Sequence, residues 1–75
     1  MVRMEDVRKI LAANIKAARN RLNLSQEELA ASAEIDRTYV SGIERQVRNP
    51  TITVVAKFAD ALGTTTADLL TDRSR

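Results

Sequence analysis

Residues 25–45 read SQEELAASAEIDRTYVSGIER, and the rest of the chain is arranged around that run. Ser25 suits a helix N-cap, because its hydroxyl can accept from the unpartnered N–H groups of a first helical turn. Glu28 stands three residues on and completes a capping box. Leu29, Ala30 and Ala33 follow as an apolar stripe at helical spacing. Asp36 can cap a second start, beyond which Val40 and Ile43 share one face while Arg37, Thr38, Ser41 and Arg45 lie largely elsewhere. Only Glu34 and Ile35 remain to turn the corner. Two short helices, a tight turn and a polar face on the second describe a helix-turn-helix. An ordinary helical hairpin has the same periodicity, so pattern alone leaves both readings open.

Upstream, Val7, Leu11, Ile15, Ala18 and Leu22 recur at helical spacing and mark one face of a long helix. Glu5 and Asp6 suit its start, and Arg19 and Arg21 suit its end, by their charge against the helix dipole. Met1 to Met4 are expected to fray. Asn23 is a plausible left-handed exit, after which Leu24 turns back to the core. Downstream, residues 46–50 (QVRNP) hold the only proline, which forbids further helix. A fourth helix is expected from Thr53, with Thr51 as an alternative cap. Val54, Val55, Phe58, Ala59 and Leu62 form its buried face and Gly63 its stop. Thr65 and Asp68 start a short last helix holding Ala67, Leu69 and Leu70, and TDRSR is a solvated tail. TITVV could pass for a strand, but one strand has nothing to pair with. The expected fold is all-α, a compact five-helix bundle forming one domain over 1–75, with its folded core at about 5–71.

With 75 residues the chain lies near the lower limit for a single apolar core without staples. It has neither cysteine nor histidine. Disulfides, thiolate or zinc sites and the commonest acid–base chemistry therefore lose their usual residues. No Gly-rich phosphate loop is present, and the adjacent Glu27 and Glu28 diverge on a helix. The expectation is no enzyme, no metal, no cofactor and no small-molecule ligand. The basic N-terminal stretch lacks a long apolar segment, and no run approaches the ~20 apolar residues of a membrane span. A cytoplasmic protein with no membrane partner is expected. Net charge is only +2, but it is segregated. Residues 1–24 carry six basic and two acidic residues, residues 25–36 four acids and no base, and residues 37–49 three arginines against Glu44. Such segregation suits one face meeting phosphates, as it also suits a solvated charge mosaic.

LSQEELA followed by DRTYVSGIER and RNP resembles the DNA-binding domain shared by phage repressors and XRE-type regulators. The RTY-x-S-x-IER stretch is most similar to the small controller proteins of restriction–modification systems. The likeness runs from about Ile15 to Leu70, and it implies a lambda-repressor-like fold with the second motif helix in the major groove of double-stranded DNA. On that reading Arg37, Thr38, Tyr39 and Ser41 read bases, and Arg37 has the planar guanidinium that can bond guanine O6 and N7 together. Gln26, Arg45, Arg48 and Asn49 would hold phosphate, Gln26 also bracing a reading side chain. Tyr39 could instead be a core residue, and Gln26 merely a solvated polar one. Gly42 would let the helix approach DNA closely. The resemblance also pairs Arg19 with Glu44. Relatives commonly have glycine at the positions of Glu34 and Gln46; a backbone that keeps their positive φ would carry a left-handed penalty there, and a turn re-formed with ordinary φ is the alternative.

The function implied is that of a sequence-specific transcriptional regulator, a homodimer on a pseudo-palindromic operator. One module offers too little contact for gene control, and the family dimerises through its last helices. Leu69 and Leu70 cannot both point into one small core, so one of them is the candidate for the partner subunit, with Phe58 or Leu62 nearby. A wider core closed by both leucines is the alternative. Activation would need a contact with RNA polymerase, for which Glu27, Glu28 and Glu34 could serve. The rival function is an antitoxin-like module that masks a toxin, although no long arm is present to cover one.

Overall fold

The computed structural model describes residues 4–73, which form five α-helices and no strand. They are α1 (Met4–Arg21), α2 (Gln26–Ala33), α3 (Arg37–Glu44), α4 (Ile52–Leu62) and α5 (Thr66–Leu69). Met4 already belongs to α1. The fraying expected of residues 1–3, and the last two residues of the tail, lie outside the described residues.

Each helix after the first starts on a side-chain cap. The oxygens of Ser25, Asp36, Thr51 and Thr65 accept from the N–H groups of Glu28, Thr38, Val54 and Asp68, at 3.0, 2.8, 3.2 and 3.0 Å. A cap of this kind is worth about 1 kcal/mol, because it satisfies an N–H that the helix leaves unpaired. Ser25 and Glu28 close the expected capping box, with the Ser25 N–H donating to Glu28 Oε1 at 2.8 Å. The Ser25 N–H first, and then the Ser25 hydroxyl, hold the Glu28 carboxyl below its ordinary value. Thr51 and not Thr53 sets the start of α4, so Ile52 opens that helix.

The exits are alike as well. Asn23, Glu34, Gln46 and Gly63 have φ of 58°, 58°, 64° and 69°. One residue beyond each, the N–H of Leu24, Ile35, Val47 and Thr64 reaches back to the carbonyl of Arg19, Ala30, Gly42 and Ala59 at 2.9 Å. This is the Schellman ending, in which a left-handed residue lets the chain reverse and satisfies the last carbonyls. Only Gly63 adopts that backbone without a Cβ penalty.

The core gathers one face from every helix. Ile15, Leu29, Val40, Ile43, Phe58 and Leu69 are each no more than 2 % exposed, and Leu11, Ala18, Ala30, Ala33, Val55 and Leu62 complete the cluster. Helix α1 lies against α3, α4 and α5, while α2 packs on both α3 and α4. The α1 stripe is shorter than its periodicity suggests. Val7 and Leu22 are 37 % and 46 % exposed, because both ends of α1 run past the elements that cover its middle.

The C-terminal leucines divide. Leu69 is 2 % exposed and belongs to the core, whereas Leu70 is 36 % exposed. The segment that carries them is held by Asn14, a buried polar residue whose amide donates to the carbonyls of Leu69 and Thr71 at 2.9 and 2.8 Å. That clamp fixes the end of α5 on α1. Of the residues offered to a partner, Phe58, Leu62 and Leu69 are therefore withdrawn by their burial in the core. Phe58 is wholly enclosed in its own protomer, and Leu70 is the leucine left outside.

Candidate nucleic-acid interface

Helix α3 is locked to its scaffold at its C-terminal end. Glu44 Oε2 accepts from Arg19 Nε at 2.8 Å, and Glu44 Oε1 accepts from Arg19 Nη2 at 3.0 Å. The remaining guanidinium nitrogen of Arg19, Nη1, donates to the Leu24 carbonyl at 2.9 Å. Gln26 Nε2 adds a further bond to Glu44 Oε1 at 3.1 Å. The Arg19 and Glu44 side chains are 13 % and 6 % exposed, so the pair is largely out of water. Burial alone would raise the Glu44 carboxyl, but the bonds from Arg19 and Gln26, with the Arg19 and Lys16 charges, outweigh it and hold it below its ordinary value. The Glu44 bond in turn raises Arg19. One carboxylate therefore joins α1, the start of α2 and the end of α3. Gln26, read from sequence as facing DNA, has one amide N–H committed to this link.

The opposite end of α3 is open. Arg37 and Thr38 are exposed on its first turn. The Thr38 hydroxyl donates to Asp36 Oδ1 at 2.6 Å, and this bond, with that of the Thr38 N–H, holds the Asp36 carboxyl below its ordinary value. Arg37, Ser41 and Arg45 follow at four-residue steps, and so share a strip of the helix surface. Ser41 is half-buried and its Oγ accepts from Arg45 Nε at 3.3 Å. Tyr39 is half-buried against the core, a position between the two alternatives read from sequence.

Arg48 and Asn49 are exposed on the loop after α3. The Arg48 guanidinium lies 5.5 Å from the centre of the Tyr39 ring. Gly42 is buried, and a Cβ there would come within 2.5 Å of Arg48 Cγ. The close approach at Gly42 is therefore made by a side chain of the same molecule, where DNA was expected. Asn49 lies at the border of a different feature, an open groove of about 270 Å³ whose apolar lining includes Val7, Leu11, Pro50, Ile52, Val55 and Leu70. Ile52 is 65 % exposed. The sequence reading missed Ile52 and Val7 as neighbours of Leu70. The available signal was an apolar residue, Ile52, at the start of α4 and off its buried stripe, and Val7 at the exposed end of the α1 stripe.

Together, α2 and α3, joined through a left-handed turn and held on α1, are a helix-turn-helix. The helix-turn-helix family model HTH_3 matches residues 15–69, and the chain belongs to that family of DNA-binding transcription regulators. It is similar to control protein C.SmaI of Serratia marcescens, with 44 % identity over 66 residues, covering 88 % of this chain and 79 % of the relative. Among solved structures, the hypothetical transcription factor NHTF from Neisseria superposes with a TM-score of 0.89 at 39 % identity, over 97 % of this chain and 85 % of that one. The restriction–modification controller protein C.Esp1396I, solved as a tetramer with its natural 35 base-pair operator, matches with a TM-score of 0.78 at 33 % identity, over 84 % of this chain and 83 % of its own. No described helix is long and apolar enough to cross a membrane.

Proposed function

We propose that the chain is a controller-type transcription regulator, acting in the cytoplasm as a homodimer on a pseudo-palindromic operator with α3 of each copy in the major groove. The observation that carries this reading is the asymmetry of α3: its first turn presents Arg37 and Thr38 to solvent, while Glu44 anchors its far end. A recognition helix works in that attitude, because its N-terminal residues contact base edges and its scaffold must hold it still. Arg37 reads a guanine bidentately, Thr38, Tyr39 and Ser41 contact neighbouring base edges, and Gln26, Arg45, Arg48 and Asn49 hold the phosphate backbone. The whole of 1–75 serves as one such module. Likeness to two controller proteins, one bound to an operator, favours this reading over toxin masking. Where the regulator activates, exposed Glu27 and Glu34 would meet RNA polymerase, since the Glu28 carboxylate is engaged in its capping box.

A duplex selected by the wild-type protein from a randomised pool supplies the test. Arg37→Ala should lose about 1–3 kcal/mol on that duplex and much less on its scrambled counterpart. Equal losses on both would remove Arg37 from base reading.

A further inference from the structure

Gly42 sits in the middle of the proposed reading helix, a place where glycine weakens a helix relative to alanine. Its surroundings give it a use. Arg48 Cγ would be 2.5 Å from a Cβ at Gly42, with Arg48 Nε at 3.3 Å and Cδ at 3.5 Å, so the arginine stem lies flat across the bare backbone. At that distance no real Cβ fits, and the atom in the way is near the root of the arginine stem. Beyond Gly42 the guanidinium sits over Tyr39, inside the ~6 Å range of cation–π attraction. The Arg48 charge also contributes to lowering the Asp36 carboxyl, after the two Thr38 bonds. Arg48 thus starts from the loop behind α3 and delivers its charge toward the N-terminal half of that helix.

We propose that Gly42 is a positioning residue for DNA recognition: by lacking a side chain it lets Arg48 lie across α3 and stack on Tyr39, so that the two side chains meet the duplex as one preformed, sequence-selective unit. This rests on the DNA-binding reading above and revises the part given there to Arg48 as a phosphate contact alone. A guanidinium held against a ring has lost most of its rotamer freedom before DNA arrives, which lowers the cost of ordering it on binding. A lone phosphate clamp needs only charge and reach. A base-directed arginine needs orientation as well, and the packing on Gly42 and Tyr39 supplies it.

Gly42→Ala, Arg48→Ala, the double variant and Arg48→Lys should be titrated against the selected duplex and its scrambled counterpart. Gly42→Ala should fold but melt somewhat below the wild-type temperature, since the Arg48 stem must swing away from its Cγ outward and this outweighs the gain in helix propensity. It should weaken binding to the selected duplex roughly tenfold, the range of a specific side-chain contact. In the Arg48→Ala background the same change should alter binding by less than about twofold, because the interaction it disturbs is already gone. Arg48→Lys keeps the charge and loses the planar stack, so it should narrow the ratio of selected to scrambled binding. Equal losses from Gly42→Ala in both backgrounds would mean that the added methyl acts directly on DNA, and would overturn the proposal. So would unchanged selectivity in Arg48→Lys, a measurement that stands even if Gly42→Ala does not fold. Wild-type protein that selects no duplex would instead overturn the DNA-binding reading itself.

Discussion

Two surfaces of the molecule are finished differently. Around α3 the polar side chains are tied to one another: Arg19 and Gln26 to Glu44, Thr38 to Asp36, Arg45 to Ser41, and Arg48 to the face of Tyr39. Along the groove lined from α1, α4 and the residue after α5, three apolar side chains are exposed, Val7, Ile52 and Leu70, with Arg8 and Asn49 among its lining. A preorganised polar face keeps its geometry in water and suits a charged, wet partner such as a duplex. Apolar residues grouped at a surface suit a dry contact, and in the proposed homodimer a second copy of the chain supplies it. One small core thus holds up two surfaces of opposite chemistry.

The largest way to break this arrangement lies at the adjacent leucines. Leu69→Glu puts a carboxylate into the core and should cost about 4–5 kcal/mol or more, comparable with the whole stability of so small a domain. Leu70→Glu, one residue along, gives up only the partial burial of a 36 % exposed side chain, so it should cost about 1 kcal/mol and act chiefly on assembly. Chemical denaturation and sedimentation, run on both variants, separate the two effects. If both variants fold and both stay monomeric, the burial described for Leu69 is wrong.

Next comes the lock on α3. Glu44→Ala leaves Arg19 without its carboxylate partner, although the Leu24 carbonyl still accepts from it, so the loss should be about 3 kcal/mol, the low end for a buried pair. The same network predicts a pH dependence. Folding lowers the Glu44 carboxyl from its ordinary value of 4.5, so the unfolded chain holds a proton there more readily than the native one. The stabilisation is complete above that value and disappears as pH falls through the native one. Glu44→Gln should flatten the acid limb of the stability curve. A melting curve that Glu44→Ala leaves unmoved would mean that the pair contributes nothing.

The smallest effects sharpen the comparison at the corners of the motif. Glu34 and Gln46 have left-handed backbones that glycine would adopt freely. Glu34→Gly and Gln46→Gly should each stabilise by a few tenths to about 1 kcal/mol, the removed strain being partly offset by a freer unfolded chain. Destabilisation of either variant in urea would mean that the side chain does more there than bear strain.

Much of this was legible in the sequence. Caps are local, so Ser25, Asp36 and Thr65 announced their helices. The Arg19–Glu44 pair and the backbone at Glu34 and Gln46 were expected from family resemblance, and the structure contains all three. What escaped were relations between residues distant along the chain. Periodicity on a four-residue helix could not say which of Leu69 and Leu70 faces inward, because that depends on how α5 docks on α1, where Asn14, 55 residues before Leu69, holds the Leu69 carbonyl. Phe58 was read as part of the buried face of α4 and also as a neighbour of the partner contact, and its complete enclosure leaves only the first of these. Gly42 was read as a place of close approach to DNA, and no local pattern could reveal that Arg48, on the following loop, lies against it.

The measurement that tests both surfaces at once is titration of the wild type and Leu70→Glu against the full selected duplex and a duplex carrying one half-site. Two-fold-related α3 helices should stand about 34 Å apart, one helical turn of DNA. The expected result is equal affinity of both proteins for the half-site, with only the wild type forming a tight complex of two chains on the full duplex. A Leu70→Glu protein that still binds the full duplex as a pair with wild-type affinity would contradict the division of labour between the polar and apolar surfaces, as would one that loses the half-site as well.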